Sequence, residues 1–169
     1  MRMRLYVTGG TFDKEYDEIN GRLYFKDTHV REMLKLGRCH ADIEVRTLMM
    51  IDSLEMNEND REIIYKSCIE ADPDRIVITH GTDTLAVTAR YLGERIHEKT
   101  VVLVGALIPY TFGSSDGLFN LGSAIAFAQT LPPGVYVAMN GRCFQWDNVR
   151  KNRSTGYFEE RQASAESEI

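Results

Sequence analysis

Cysteine is scarce in this chain. Cys39, Cys68 and Cys143 are odd in number and widely spaced, and they match neither a disulfide framework nor a zinc-ligand pattern. Cys39 and His40 adjoin, but no second pair sits at ligand spacing, so buried or inert thiols are the simpler reading. Basic charge is short as well. The 20 Lys and Arg stand against 25 Asp and Glu, a formal net charge of −5, which argues against nucleic acid or an anionic membrane as partner. The one basic cluster, Arg150-Lys151-Asn152-Arg153, is too short to reverse that. Long apolar runs are missing too: Met1-Arg2-Met3-Arg4 leads straight into Leu5-Tyr6-Val7, too little for a signal peptide or membrane span. A cytoplasmic location is expected. No internal repeat, low-complexity segment or inter-domain linker is visible.

What is present is the material of one globular domain. The 169 residues are 43% apolar and 27% charged, enough to bury roughly two-thirds of the unfolded surface. Five short apolar or β-branched runs, residues 3–8, 43–50, 75–79, 100–105 and 135–139, alternate with helical patterns. Residues 28–36 read as a helix with a Thr28 cap and a Gly37 stop. Residues 57–71 place Ile63, Ile64, Cys68 and Ala71 on one stripe behind an acidic first turn. Residues 84–96 repeat Leu85, Ala89, Leu92 and Ile96. Residues 115–130 are apolar almost all round, so that helix should bury against the sheet or a second subunit.

This alternation predicts an α/β fold, a three-layer α/β/α sandwich on a mainly parallel sheet of about five strands. Residues 12–27 lack periodicity and are long for a βα loop, so a lid or an ordered hairpin is expected there. Everything after Asn140 is also aperiodic, and residues 158–169 read as a polar, frayed tail behind a domain of residues 1–157.

In open parallel sheets, ligands bind beyond the carboxyl ends of the strands. The five exits here are Thr8-Gly9-Gly10-Thr11, Ile51-Asp52-Ser53, Thr79-His80-Gly81-Thr82-Asp83-Thr84, Val104-Gly105-Ala106 and Met139-Asn140-Gly141. Four carry glycine, which lets backbone N–H groups approach a ligand, and three carry hydroxyl residues. Each piece has a plainer explanation. Gly9-Gly10 can be only a turn, and Asp83, Thr84 and Ser53 can each be a helix cap. His80 reads as a satisfied supporting residue rather than a catalyst, and Lys151 as a solvated one. Their joint occurrence at matching strand ends favours a site.

These residues resemble the L-asparaginase family. The motifs that carry the resemblance are Thr8-Gly9-Gly10-Thr11, Asp52-Ser53, Thr79-His80-Gly81-Thr82-Asp83-Thr84, Val104-Gly105-Ala106 and Ser115-Asp116-Gly117-Leu118-Phe119-Asn120-Leu121, in that order. The likeness runs from the first strand to about Arg153 and is similar to short, single-domain members, with Asp13-Lys14 and Tyr16 following Thr11. Residues 1–157 would then be an asparaginase N-terminal-type catalytic domain.

The resemblance implies hydrolysis of L-asparagine to L-aspartate and ammonia through a threonine acyl-enzyme. Thr11 would be the nucleophile with Tyr16 beside it, and Thr82, Asp83 and Lys151 a second triad. Ser53 and Asp83 would hold the substrate's α-carboxylate and α-amino group, with Gly10, Asp52 and Gly81 around them. The N–H groups of Thr82 and Ala106 would bind the oxyanion. A threonine hydroxyl needs such help, being a weak nucleophile at its free pKa, and Lys151 could act as base only if burial or nearby positive charge eased loss of its proton.

No metal and no cofactor are expected. The carboxylate that long members take from a neighbouring subunit's C-terminal domain has no matching residue. Leu54 stands where many of them carry glutamine, which removes one amide that would contact the substrate's amino group and points to weak substrate binding. Asparagine is expected over glutamine, and Tyr24 competes with Tyr16 for the loop role. A homo-oligomer, at least a dimer, would close the site.

Rival readings fare worse. Gly113-Ser114-Ser115-Asp116-Gly117 fits G-x-S-x-G, but no strand precedes the serine and the last histidine is His97, so Ser115 and Asp116 read as a helix cap. Thr8-Gly9-Gly10-Thr11 lacks dinucleotide spacing. A non-catalytic amino-acid sensor, or a glutaminase-like subunit feeding ammonia to a partner, remains as the alternative.

Overall fold

A computed structural model describes residues 1–161. Its main sheet has six strands in the order β4-β1-β5-β6-β7-β8. They are β1 (Arg2–Gly9), β4 (Asp42–Ile51), β5 (Arg75–Thr79), β6 (Thr100–Val104), β7 (Gly134–Met139) and β8 (Arg142–Gln145). The first five run parallel, and β8 returns antiparallel against β7.

Side chains along the central strands alternate between two cores, as a pleat covered on both faces requires. Ile76 and Ile78 of β5, Val101 and Leu103 of β6, and Val135 and Val137 of β7 pack with α2 (Glu58–Glu70) and α3 (Leu85–Gly93). Val77, Val102, Val104, Tyr136 and Ala138 pack on the opposite face with α1 (Val30–Leu36) and α4 (Gly117–Thr130). The three-layer sandwich is therefore present, with a sixth strand beyond the five expected.

Helix ends depart from the sequence reading in instructive ways. His29 holds the N-cap position of α1 without a side-chain cap. Thr28, one residue earlier, does accept the Val30 N–H at 3.2 Å, and it donates its hydroxyl to the buried Asp13 carboxylate, which also accepts the His29 N–H. Gly37 does sit at the helix end, where its N–H reaches Met33 O. On α2, Asn57 and Asp60 form a reciprocal capping box, while Ile64, Cys68 and Ala71 are buried and Ile63 turns outward.

The aperiodic stretch 12–27 is an ordered hairpin, β2 (Lys14–Asp17) against β3 (Arg22–Phe25). The region after Asn140 also has order: β9 (Arg150–Lys151) pairs with β10 (Phe158–Glu159), and Phe158 is buried. So at least Phe158 and Glu159 do not fray. The rest of the expected tail, residues 162–169, lies outside the described residues. Asn140 (φ 56°) and Gly141 (φ 75°) are the two positive-φ residues between β7 and β8, the Asn-Gly signal of a tight hairpin.

The segment that leads to Lys151 docks on α3 through Trp146. A Cβ on Gly93 would lie 2.2 Å from two ring carbons of Trp146. Gly93→Ala should therefore cost about 1–3 kcal/mol through overpacking, lowering Tm by several degrees and shifting the fluorescence of the sole tryptophan. An unchanged Tm and spectrum would contradict this docking.

Candidate functional site

The sheet order reverses between β1 and β5: the chain passes from β1 outward to β4, then crosses back to β5. Such a switch point opens a crevice at the carboxyl ends of the strands. Here that crevice is where the motif-bearing exits converge. Opposite β4, the register of β1 shifts between Val7 and Gly9, which bends the exit. Gly10 then adopts φ 81° and presses its Cα against the β5 exit. A Cβ there would fall 2.4 Å from Gly81 N.

The neighbouring exits are stacked just as closely. A Cβ on Gly81 would meet the Ser53 Cβ and Oγ at 2.6 Å, and one on Gly105 would meet Thr82 Cγ2 at 2.7 Å. Thr8 ties β1 to β5 by donating its hydroxyl to Thr79 O at 2.7 Å. Thr11, Ser53, Thr82 and Ala106 thus sit on four exits that touch one another. The N–H groups of Thr82 and Ala106 donate to none of the described residues.

Lys151 reaches this cluster from β9. Its Nζ donates to Thr82 Oγ1 at 2.8 Å and to Asp83 Oδ1 at 2.7 Å. The Lys151 side chain is 16% exposed and that of Asp83 38%, so this ion pair is only partly withdrawn from water. Asp83 is accordingly not a helix cap. Thr84 does hold the N-cap position of α3, but without a side-chain cap: its hydroxyl donates to Ser53 O at 2.8 Å and so fastens the β4 exit to α3. The position of β9 is set from behind. Phe158 lies opposite Lys151, and its N–H donates to Asn140 Oδ1 at 2.9 Å.

The hairpin is anchored at its base. Lys14 Nζ pairs with Asp52 Oδ2 at 2.5 Å, while Asp52 Oδ1 accepts the Leu54 N–H at 3.0 Å. Burial acts to raise the Asp52 carboxyl, but the Lys14 and Leu54 hydrogen bonds and the Lys14 charge prevail and hold it below its ordinary value. Both Asp52 oxygens are thus engaged within the protein. Burial pushes the Asp13 carboxyl up, against the pull of the His29 N–H, the Thr28 hydroxyl and the His29 ring.

Among the described residues neither loop tyrosine hydrogen-bonds to Thr11, and each has other neighbours. The Tyr16 hydroxyl lies 3.9 Å from where a Gly21 Cβ would sit, back at the hairpin turn. Its ring lines an open cleft of about 510 Å³ with Glu15, Glu18, Thr111 and Phe112. Tyr24 donates to Glu15 Oε2 at 3.2 Å, and this bond raises its phenol above the usual value. Leu54 is exposed.

Ser115 follows a 3₁₀ turn rather than a strand and donates to Ile108 O at 2.6 Å, so it is no nucleophile elbow. Asp116 stands at the start of α4 without capping it; its carboxylate takes the N–H groups of Leu107 and Ile108 instead. Among the described residues, no three His, Cys, Asp or Glu side chains gather as a metal site.

His80 is wholly buried between Gly81, Met56 and Thr88. A carbonyl can only accept, so the 2.8 Å contact from Nδ1 to Gly81 O places the proton on Nδ1. Nε2 then accepts from the Thr88 hydroxyl at 2.8 Å, and Thr88 Oγ1 in turn accepts from Arg61 Nε at 3.1 Å. Arg61, Met56 and Thr88 carry no motif, and only the spacing His80–Thr88 along one turn into α3 hints at them. Burial lowers the imidazole to about 4, with Gly81 O opposing and the Arg61 charge assisting.

Because the folded value lies below the unfolded 6.5, the contribution to stability is full above about 6.5 and is lost as pH falls through about 4. Ring ¹⁵N shifts of His80 should report the Nδ1–H tautomer and no titration between pH 8 and about pH 5. A titration midpoint near 6.5 would contradict the buried relay.

With this geometry in view, the likenesses to known proteins fall on the same span. The family model "Asparaginase, N-terminal" matches residues 2–163. The L-asparaginase of Thermococcus kodakarensis is 34% identical over 161 residues, covering 92% of this chain and 49% of that protein. Its solved structure superimposes with a TM-score of 0.84, over 95% of this chain and 51% of that one.

A probable cytoplasmic L-asparaginase from Campylobacter jejuni gives a TM-score of 0.75 at 34% identity, covering 89% of this chain and 49% of that one. A glutamyl-tRNA(Gln) amidotransferase subunit from Aeropyrum pernix is 31% identical over 149 residues, 82% of this chain and 35% of that protein. The chain thus spans about half the length, or less, of these relatives. It belongs to the L-asparaginase family, and what it matches is the N-terminal domain of that family.

Proposed function

We propose that this chain is an amidohydrolase that converts L-asparagine to L-aspartate and ammonia through a threonine acyl-enzyme. The observation that carries this reading is the Lys151–Thr82–Asp83 cluster, held at 2.8 and 2.7 Å on the strand exit against which the Thr11 exit is packed.

Thr11 Oγ attacks the carboxamide carbon as its proton passes to Thr82 Oγ1 and the Thr82 hydroxyl proton passes on to Lys151 Nζ, a relay that requires Lys151 as the neutral amine. Negative charge develops on the amide oxygen, which the N–H groups of Thr82 and Ala106 receive. Each such donor lowers a barrier by roughly 3 kcal/mol. Return of the proton to the nitrogen releases ammonia and leaves an aspartyl ester on Thr11, which water then cleaves. In the resting arrangement Lys151 Nζ donates to Thr82 Oγ1 and to Asp83 Oδ1; for the relay the first of these bonds reverses, while Asp83 keeps Lys151 in place. The remaining oxygen of Asp83 faces the α-ammonium, and Ser53 takes the α-carboxylate. Gly10 and Gly81 form the floor. With both oxygens engaged, Asp52 serves by holding Lys14 rather than by touching substrate.

Tyr16 enters only if the hairpin closes, and Tyr24 remains its competitor. The exposed Leu54 supplies no amide to the substrate's amino group, in keeping with weak substrate binding. A homo-oligomer, at least a dimer, belongs to the same reading, supported by Phe119, which α4 leaves 64% exposed. So does a cytoplasmic location, in line with the probable cytoplasmic L-asparaginase of Campylobacter jejuni; no helix among the described residues is long and apolar enough to cross a membrane.

The likeness to an amidotransferase component favours one second reading, an amidase that hands ammonia to a partner enzyme. Coupled ammonia detection with L-asparagine and L-glutamine side by side separates the two. Turnover of asparagine well above glutamine is expected, and the reverse order would support the ammonia-supplying role. Thr11→Ala should lose on the order of 10⁴-fold in kcat or more with an unchanged Tm. Wild-type turnover in that variant would transfer the nucleophile role to Thr82; ligand binding by the unmutated protein without turnover of either amide would show a sensor.

A further inference from the structure

Two side chains outside the proposed chemistry share one geometric relation to it. A peptide unit is planar and trans, so the C=O of one residue and the N–H of the next point in opposite directions. Gripping the carbonyl therefore aims the N–H. The Thr82 N–H belongs to the peptide unit whose carbonyl is Gly81 O, and that oxygen accepts from His80 Nδ1 at 2.8 Å. The Ala106 N–H belongs to the unit whose carbonyl is Gly105 O, and that oxygen accepts from Asn120 Nδ2 at 3.0 Å.

Both gripping side chains are buried and held in turn. His80 has no exposed surface and Asn120 only 1%. Thr88 and Arg61 fix the ring of His80 through its far nitrogen. Asn120 also donates to Asp116 Oδ2 at 2.9 Å and accepts the Asn140 N–H at 3.2 Å. Asp116 itself takes the N–H groups of Leu107 and Ile108, so the backbone is clamped on either side of Ala106.

We propose that His80 and Asn120 are positioning residues for the two oxyanion donors, each acting through the carbonyl on the far side of the donor's own peptide unit. The inference rests on the amidohydrolase reading. A donor that meets charge only in the transition state should, when loosened, lower kcat and spare KM. Losing an oxyanion donor costs roughly 10²–10³-fold in kcat, so a misaimed one should cost about 10- to 100-fold.

The decisive comparison is between two substitutions at one buried position. His80→Asn offers an amide N–H near the place of Nδ1 and should keep the grip on Gly81 O. His80→Gln offers one near Nε2 and should release it. Asn120→Leu removes the second grip independently and keeps the experiment open should His80→Gln fold poorly, which melting curves would show. Expected are a 10- to 100-fold loss of kcat in His80→Gln and in Asn120→Leu with KM within about twofold, and substantial recovery in His80→Asn. Equal loss in both His80 variants, or a loss confined to KM, would overturn the proposal.

Backbone amide spectra supply a readout that does not need turnover. His80→Gln should shift and speed the exchange of the Thr82 N–H, and Asn120→Leu that of the Ala106 N–H, each leaving the other in place. If the wild-type protein hydrolysed no amide, the functional reading would fall while this arm still decided whether these side chains aim those N–H groups. Unmoved Thr82 and Ala106 signals would defeat the positioning claim even in an active enzyme.

Discussion

The contact on which the rest depends is backbone against backbone: the Cα of Gly10 lies against the peptide of His80 and Gly81 so tightly that a single methyl group would collide at 2.4 Å. Nothing polar holds these two segments together at that point. They meet because β1 and β5 are adjacent parallel strands and because the chain has no side chain at either crossing. The sheet supplies parallel strands about 4.8 Å apart, and the glycines convert that spacing into contact. Every polar group of the site is placed relative to this seam. Thr11 follows Gly10, Thr82 follows Gly81, and Ser53 is wedged behind Gly81.

Around the seam, charges and carbonyls fix what packing alone would leave loose. Lys14 and Asp52 tie the base of the hairpin to the β4 exit, and Asp13 ties it to the start of α1. Lys151 comes from the other direction, on a short antiparallel pair beyond the main sheet, and joins two residues of the β5 exit. Exposed ion pairs contribute little to stability. Those at the site matter for what they position, since Thr82 and Lys151 are 69 residues apart in sequence.

Sequence alone carried far toward the sheet and its helices because β5, β6 and β7 are short, β-branched and covered on both faces. Runs such as Arg75–Thr79 leave no other reading once helical patterns stand between them. It carried less far where tertiary partners override local signals. Thr28 does take the Val30 N–H, but it shares the start of α1 with Asp13, 16 residues before His29, which takes the His29 N–H. Asp83, Thr84 and Asp116 also look like caps, and each is diverted to a neighbouring segment. The sixth strand was announced by Asn140-Gly141, a hairpin dipeptide that the glycine of a strand exit obscured. Of the site, the motif-bearing residues on the exits were legible. The grips on Gly81 O and Gly105 O were not, because a carbonyl's partner leaves no mark on the spacing of side chains. Tyr16 shows the limit from the other side, since its place relative to Thr11 depends on how the hairpin sits rather than on residue order.

For the proposed chemistry, one carbonyl group must be reachable from both sides of the seam. A crystal structure of the protein with L-aspartate bound tests that most directly. The side-chain carboxylate is expected within hydrogen-bond reach of the Thr11 and Thr82 hydroxyls at once, with an oxygen facing the Thr82 and Ala106 N–H groups. A ligand that touches only one of the two threonines, or that settles in the cleft beside Tyr16 and Phe112 instead, would contradict it.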